Sequence, residues 1–259
     1  MFRRTEVAVE AAREAAAIVM RGFRRPGEAT EKGGRELVTA TDRASEEAII
    51  ARISRAFPDD AIVAEESGAS AGASGAVWII DPLDGTNNFA HGYPFFSIAI
   101  AIEEAGEVVA GVVHDPLRDE CFVAERGGGA SLNGSPIRVS ATERLEESLV
   151  ATGFPYDRSE ETENNIANLG RFILSVRGVR RGGSAELDLV SVASGRLDGF
   201  WELGLKAWDV SAGGLIVLEA GGRVTNFEGG DWDHHRGDIV ASNGIVHEEM
   251  QAVILGETT

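Results

Sequence analysis

Apolar and polar positions repeat along this chain with two different periods, and the changes of period mark its elements. Residues 5–23 place Ala, Val and Ile at helical spacing between Glu and Arg, which predicts a helix that Pro26 and Gly27 end. Arg21, Arg24 and Arg25 crowd its C-terminal end, where the helix dipole favours cations. Residues 27–36 are polar and flexible in composition and read as a mobile loop carrying Lys32. A short strand is expected at 37–40. Thr41 or Asp42 then caps a helix reaching about Phe57, with Ile49, Ile50 and Ile53 on one face. Residues 61–64 predict a strand, 68–75 a surface loop of small residues, and 76–80 a further strand.

Beyond residue 95 the period shortens to two. Residues 97–102, 108–114 and 121–124 predict an antiparallel meander with turns at Ala105-Gly106 and Arg118-Asp119. Gly127-Gly128-Gly129 reads as a turn, because no parallel strand-to-helix crossover follows it. Asn133-Gly134 is a hairpin signal. From 148 the pattern becomes α/β. Strands are expected at 148–152, 179–181, 197–203 and 239–241. Helices are expected at about 162–176, from Gly182-Gly183-Ser184-Ala185 to about Ala193, from Trp208 to Gly221-Gly222, and from about 244. This order suggests helices layered on two sheets within one domain spanning 1–259, with an α+β half at 1–145 and an α/β half at 146–259.

Composition narrows the function classes. The 259 residues suffice for a large core, and 43% hydrophobic with 25% charged residues is ordinary for a globular chain. A net charge of -18 opposes general nucleic-acid binding, since backbone phosphates repel such a surface. A phosphorylated small molecule stays compatible if bound cations reverse the local field. Cys121 is the one cysteine, so neither an internal disulfide nor a thiolate zinc site is available; its apolar setting predicts a buried strand position. No stretch is long and apolar enough for a membrane span, and the expected location is the cytoplasm. His234-His235 invites a metal reading, but adjacent histidines in an Asp- and Gly-rich loop are expected to point apart.

The chemistry concentrates in Asp81-Pro82-Leu83-Asp84-Gly85-Thr86-Asn87-Asn88-Phe89, where a strand ends in two carboxylates three residues apart. Such a string is also ordinary turn chemistry. Crowded carboxylates repel unless a cation sits between them, and Mg²⁺ prefers oxygen ligands of this kind, the Leu83 carbonyl included. The Gly85 and Thr86 amides suit an anion. Glu65, Asp209 and Asp42 also lie at element boundaries, from which strand-end acids commonly converge on one cleft. With Mg²⁺ held there, Thr86 can orient a water while Asp42 accepts its proton through the hydroxyl, giving hydrolysis of a phosphate monoester.

With these segments in view, the sequence resembles the inositol monophosphatase family of Mg²⁺-dependent, lithium-sensitive phosphatases. Residues 81–89 match the family's first signature. Trp208-Asp209-Val210-Ser211-Ala212-Gly213-Gly214, with Glu219-Ala220-Gly221-Gly222, resembles its second. Leu37-Val38-Thr39-Ala40-Thr41-Asp42 and Ala64-Glu65-Glu66-Ser67 match in the same order. The resemblance implies a five-layered αβαβα sandwich, a homodimer, and roughly two or three Mg²⁺ per site. It implies metal ligands at Glu65, Asp81, Asp84, Asp209 and the Leu83 carbonyl, with Asp42, Thr86 and Glu65 catalytic. Gly85, Thr86, Asp84, Ala185, Glu202 and Asp209 would meet substrate, and Lys32 would be a mobile-loop lysine beside the most weakly held metal. Relatives act on inositol phosphates, fructose 1,6-bisphosphate, histidinol phosphate or 3′-phosphoadenosine phosphates, and some bacterial relatives also serve as accessory factors in RNA transcription.

Overall fold

The computed structural model describes residues 2–23, 30–33, 36–156 and 164–257. Helix α1 (Arg3–Gly22) buries Ala8, Ala11, Ala12, Ala15 and Val19 along one stripe. Strand β1 (Thr30–Gly33) stands where a loop was expected and pairs antiparallel with β2 (Glu36–Val38), which overlaps the strand expected at 37–40. The rest of that expected loop, and the side chain of Lys32 on β1, lie outside the described residues. Helix α2 (Ala40–Ala56) is capped by Thr39 rather than by Thr41 or Asp42. The Thr39 hydroxyl accepts from the Thr41 and Asp42 amides, and the Asp42 carboxylate reaches back to the Thr39 N–H at 2.9 Å. This reciprocal box engages one Asp42 oxygen and leaves the other for a distant partner.

Strands β3 (Ala61–Ala64), β4 (Gly68–Ser70) and β5 (Ala76–Asp84) lead to the short helix α3 (Thr86–Ala90). The meander β6 (Ser97–Glu104), β7 (Glu107–Asp115), β8 (Glu120–Glu125), β9 (Gly129–Leu132) and β10 (Ser135–Pro136) completes a sheet ordered β10-β9-β8-β7-β6-β5-β3-β4. Only the β3–β5 pair is parallel among its neighbours. The edge strand β4 occupies part of the expected surface loop; its three residues are exposed, so no buried face announced it. Cys121 is buried on β8, and that burial pushes its thiol up to about 11.

The second sheet comes from the later residues: β11 (Leu149–Thr152), then α4 (Ile166–Ser175), β12 (Gly178–Arg180), α5 (Ala185–Ala193), β13 (Gly199–Leu203), α6 (Ala207–Glu219), β14 (Arg223–Thr225), β15 (Asp238–Ser242) and α7 (His247–Leu255). Its order is β12-β11-β13-β15-β14. Helix α4 begins later than expected, at Ile166, and residues 162 and 163 lie outside the described residues. Strand β14 was not foreseen, because its three residues are too few to set a period.

Alternation along the strands sorts side chains into three cores. Ile80, Ile98, Ile100 and Val112 pack with α1 and α2. Ile79, Ala99, Ala101 and Val113 face the other way, joining residues of α5 and α6 and the inner face of the second sheet at Ala151, Phe200 and Ala241. The outer face of that sheet, Val150, Trp201 and Val240, meets α4 and α7, where Trp201 stacks on Phe172 with ring centroids 3.7 Å apart. The result is an αβαβα sandwich, as the resemblance implied. Its middle helices α5 and α6 begin beside the end of β5.

Candidate active site

The end of β5 is irregular in a way that builds the site. Asp81 pairs with Ala99 and Asp84 with Ser97, so β5 advances three residues while β6 advances two. In a regular strand residues three apart face opposite sides. The extra residue is a bulge that resets the phase, and both carboxylates line one cavity of about 140 Å³. Proline suits this point because it has no N–H to give to the ladder. The Pro82 carbonyl accepts from Ser45 Oγ at 2.8 Å, while Asp81 Oδ1 accepts from the Leu83 amide at 3.0 Å.

Asp84 points at the start of α5. Ser184 Oγ and the Glu186 amide donate to its Oδ2, the latter at 3.0 Å, and the Ala185 amide to its Oδ1 at 3.2 Å. The small-residue turn at 182–185, read as a place where an external anion could meet backbone, therefore receives the protein's own carboxylate. Ser97 Oγ adds a bond at 3.2 Å.

Thr86 opens α3 behind Gly85. Gly85 sits at φ +92°, and a Cβ there would lie 3.0 Å from the Phe95 carbonyl, so a side chain is excluded twice over. Thr86 Oγ1 lies 2.7 Å from Asp42 Oδ1 and 2.9 Å from the Leu83 carbonyl. The α2 cap uses the other Asp42 oxygen, so one aspartate fixes its helix and holds the threonine hydroxyl. Thr86 reaches the cavity, whereas Asp42 is fully buried behind it.

The remaining acids come from other elements. Glu65 follows β3, and the turn that aims it is held by Glu46, whose carboxylate accepts from the Glu66 and Ser67 amides at 2.8 Å each. Asp209, in the first turn of α6, accepts from the Lys206 amide at 2.6 Å and so caps its own helix. Glu202 on β13 lies against Gly153, where a Cβ would fall 2.0 Å from its carboxylate. Ala185 also lines the cavity. The structure thus brings together Glu65, Asp81, Leu83, Asp84, Gly85, Thr86, Ala185, Glu202 and Asp209, with Asp42 one bond away. Lys32 is placed only by its backbone on β1.

Burial dominates the electrostatics. It raises Asp81 well above the usual carboxylate range, and Glu65, Asp84 and Asp209 push further in the same direction. Asp209 is raised well by burial too, against the Lys206 amide and with Asp84, Glu65 and Glu202 adding. Asp84 is raised by burial despite its bonds from Ser184, Glu186, Ser97 and Ala185. Asp42 rises for the same reason, against Thr39 and Thr86. Glu186 stands beside Asp84, raised well above its ordinary value by burial, and its Oε1 lacks a hydrogen-bond partner among the described residues. A divalent cation relieves such crowding, and an all-oxygen donor set fits Mg²⁺ better than a softer metal.

Several site residues escaped sequence reasoning. Ser184 and Ser97, which hold Asp84, look like any other serine. Asn88 donates to the Phe95, Gly182 and Gly183 carbonyls, tying α3 to the turn before α5; only its place inside the 81–89 string marked it. A larger cavity of about 960 Å³ lies next to the acid site and shares Gly204, Leu205, Lys206 and Trp208 with it. It contains none of the clustered acids, which makes the smaller cavity the candidate site.

Residues 3–258 match the sequence model of the Inositol monophosphatase family. The Haemophilus influenzae protein named Nus factor SuhB is 44% identical over 247 residues, covering 94% of this chain and 92% of that protein. The crystal structure of the extragenic suppressor protein suhB from Bartonella henselae superposes with a TM-score of 0.92 at 41% identity, covering 96% of this chain and 97% of that one. The inositol monophosphatase from Anabaena superposes with a TM-score of 0.88 at 42% identity, covering 97% and 94%.

Proposed function

Because this chain belongs to the inositol monophosphatase family, we propose that it hydrolyses phosphate monoesters with Mg²⁺, inositol monophosphate before fructose 1,6-bisphosphate, histidinol phosphate or 3′-phosphoadenosine phosphates. One observation carries the reading: three aspartates, the buried Asp81 and Asp84 and the half-buried Asp209, share a cavity with a threonine hydroxyl already held by a buried aspartate.

Glu65, Asp81, Asp84, Asp209 and the Leu83 carbonyl would hold roughly two or three Mg²⁺. Bound there, Mg²⁺ supplies positive charge for the phosphate oxygens, lowers the pKa of a water and stabilises the leaving alkoxide. The chain's own residues do the rest. The Gly85 and Thr86 amides receive a phosphate oxygen at the start of α3. Thr86 Oγ1 gives its proton toward Asp42 and keeps a lone pair for the attacking water, so the water's proton passes to Thr86 as Thr86's passes to Asp42. No covalent intermediate is required. Glu202 and Asp209 accept from hydroxyls of a polyol, and Ala185 lines the space beside them. Lys32, whose backbone lies on β1, would act beside the most weakly held metal, and the working unit would be a homodimer in the cytoplasm.

A second reading comes from the relatives named Nus factors: this chain also assists transcription, through protein contacts rather than direct nucleic-acid binding given its net charge of -18. The test compares phosphate release from inositol 1-phosphate, fructose 1,6-bisphosphate, histidinol phosphate and 3′-phosphoadenosine 5′-phosphate, with Mg²⁺ and with chelator. Mg²⁺-dependent release dominated by one compound supports the reading and identifies the leaving group. Folded, metal-loaded protein that releases phosphate from none refutes it for these substrates. Recovery of transcription proteins that persists with Asp84→Asn would then move the second reading forward.

A further inference from the structure

Away from the acid site, β6 ends in a carboxylate that meets two histidines. Ala99 and Ala101 of β6 face α5 and α6, and Glu103 continues that face between Val77 of β5 and Val108 of β7. Across from it runs the connection between β14 and β15. His234 Nε2 lies 2.8 Å, and His235 Nε2 3.1 Å, from the same Glu103 Oε2. Adjacent histidines were expected to diverge. A turn prevents that: the His235 amide donates to Asp233 Oδ1 at 2.9 Å and the Arg236 amide to the Asp233 carbonyl at 3.0 Å. Both rings therefore fall on one side, with centroids 4.1 Å apart. The neighbouring Trp232 fixes the turn against α6, where a Cβ on Gly214 would come 2.5 Å from its ring.

We propose that Glu103, His234 and His235 form a second metal site, for a first-row transition cation of the Zn²⁺ class, joining the eight-stranded sheet to the β14–β15 connection. Their ligand atoms lie within 4.8 Å of one another. Ligands around a tetrahedral ion with bonds of about 2.0 Å sit about 3.3 Å apart, so the two measured contacts need open by only a few tenths of an ångström. Two imidazole nitrogens and one carboxylate oxygen are a donor set suited to Zn²⁺, Ni²⁺ or Cu²⁺ and unsuited to Mg²⁺. Burial pushes the Glu103 carboxyl up, but the hydrogen bonds from His234 and His235 prevail and hold it below its ordinary value, so the ligand is already an anion. His234 is buried and His235 is exposed, which leaves an approach from solvent and room for a fourth, water ligand. Glu103 lies four residues along β6 from Ala99, the partner of Asp81, or about 13 Å of strand. The two sites thus differ in both position and donor chemistry, and this proposal does not depend on the phosphatase reading.

The test is Zn²⁺ binding to the full chain with Mg²⁺ in large excess, by equilibrium dialysis with elemental analysis and by thermal unfolding. We expect about one Zn²⁺ per chain and, at about a hundredfold excess over Kd, a rise in Tm of about 5 °C. His235→Ala alters an exposed side chain and should weaken Zn²⁺ binding by at least about tenfold and remove the Tm rise. Glu103→Gln should do the same, and Asp84→Asn should leave both readouts intact. Three results overturn the site: no Zn²⁺ on the wild type, undiminished binding by His235→Ala and Glu103→Gln, or loss of Zn²⁺ with Asp84→Asn, which would locate the ion among the aspartates.

Discussion

Replacing Thr86 with valine isolates the proposed proton path, because the branched shape stays while the hydroxyl goes. Thr86 is 8% exposed, and its Oγ1 makes a 2.7 Å contact with a buried aspartate. A hydrogen bond to a buried charged group contributes about 1.5–3 kcal/mol. Asp42 keeps its Thr39 donors, so the loss should sit near the lower end, about 2 kcal/mol, or about 4 °C in Tm for a chain of this length. The catalytic loss should be larger. The water forfeits its proton acceptor, which predicts a fall in kcat of about 10²–10⁴. The Mg²⁺ midpoint should stay within about threefold, because the four acids are untouched, and Thr86→Ser should recover most of the rate. The assay is phosphate release from inositol 1-phosphate across a Mg²⁺ titration, paired with thermal unfolding. A kcat loss below about tenfold alongside the predicted Tm drop would reduce Thr86 to a structural tie between α3 and α2. A Mg²⁺ midpoint that moves as far as the rate would instead place Thr86 in metal holding, through the Leu83 carbonyl it also touches.

Three further outcomes are expected. Asp84→Asn should abolish turnover with an unchanged far-UV spectrum and no Mg²⁺-dependent rise in Tm, since it removes a charge rather than packing; wild-type turnover would refute the site. The raised carboxyls of Asp81, Asp84 and Asp209 stabilise the metal-free fold below about pH 4, and that contribution is lost as pH rises through their folded values, at about 1.4 kcal/mol per unit of elevation. Mg²⁺ binds the ionised forms, so its gain in Tm should grow between about pH 5 and about pH 8. His247, which burial holds down at about 4, titrates alike with and without Mg²⁺ and cancels from that difference, so equal gains at both pH values would contradict the cluster's role. Gly153→Ala would set a methyl 2.0 Å from the Glu202 carboxylate and displace it. That should raise KM for inositol 1-phosphate about tenfold with a smaller change in kcat, and an unmoved KM would remove Glu202 from substrate contact.

The layering was legible because long periodic segments carried it. Helix α1 showed its alanine stripe, and β6 and β7 their apolar runs. The elements that escaped were those whose pairing, not composition, makes them strands: β1 among glycines and charges, the exposed edge β4, and three-residue β14. At the site, strand-end acids could be picked out by type and boundary, but how they meet could not. Asp81 and Asp84 lie three apart, which in a regular strand sets them on opposite faces. Only the register against β6 reveals the bulge that unites them. The convergence of His234 and His235 on Glu103 escaped for a related reason: a loop was expected there, but only the turn at Asp233 sets both rings on one side.

The same geometry gives a physical reason why the proposed activity would depend on a metal. Three helix starts bear on the acid site. Asp42 lies in the first turn of α2, the α5 amides of Ala185 and Glu186 hold Asp84, and Asp209 caps α6 through the Lys206 amide. Each helix terminus offers a carboxylate about 0.3–1 kcal/mol, and about 2 kcal/mol in buried geometry. Two like charges about 4 Å apart in a protein environment repel by about 4 kcal/mol. Burial is the largest cause that raises Asp81, Asp84 and Asp209, neighbouring carboxylates add to it at Asp81 and Asp209, and helix dipoles aim these acids but are too weak to reverse the rise. No arginine or lysine makes an ion pair with any of these three among the described residues. Arg181 and Lys206 line the cavity without pairing with these three; a cationic side chain locked onto the cluster would neutralise it permanently and compete with a phosphate's own need for positive charge. Leaving that charge to a dissociable cation would let the same set of oxygens serve both the metal and, through it, the substrate phosphate.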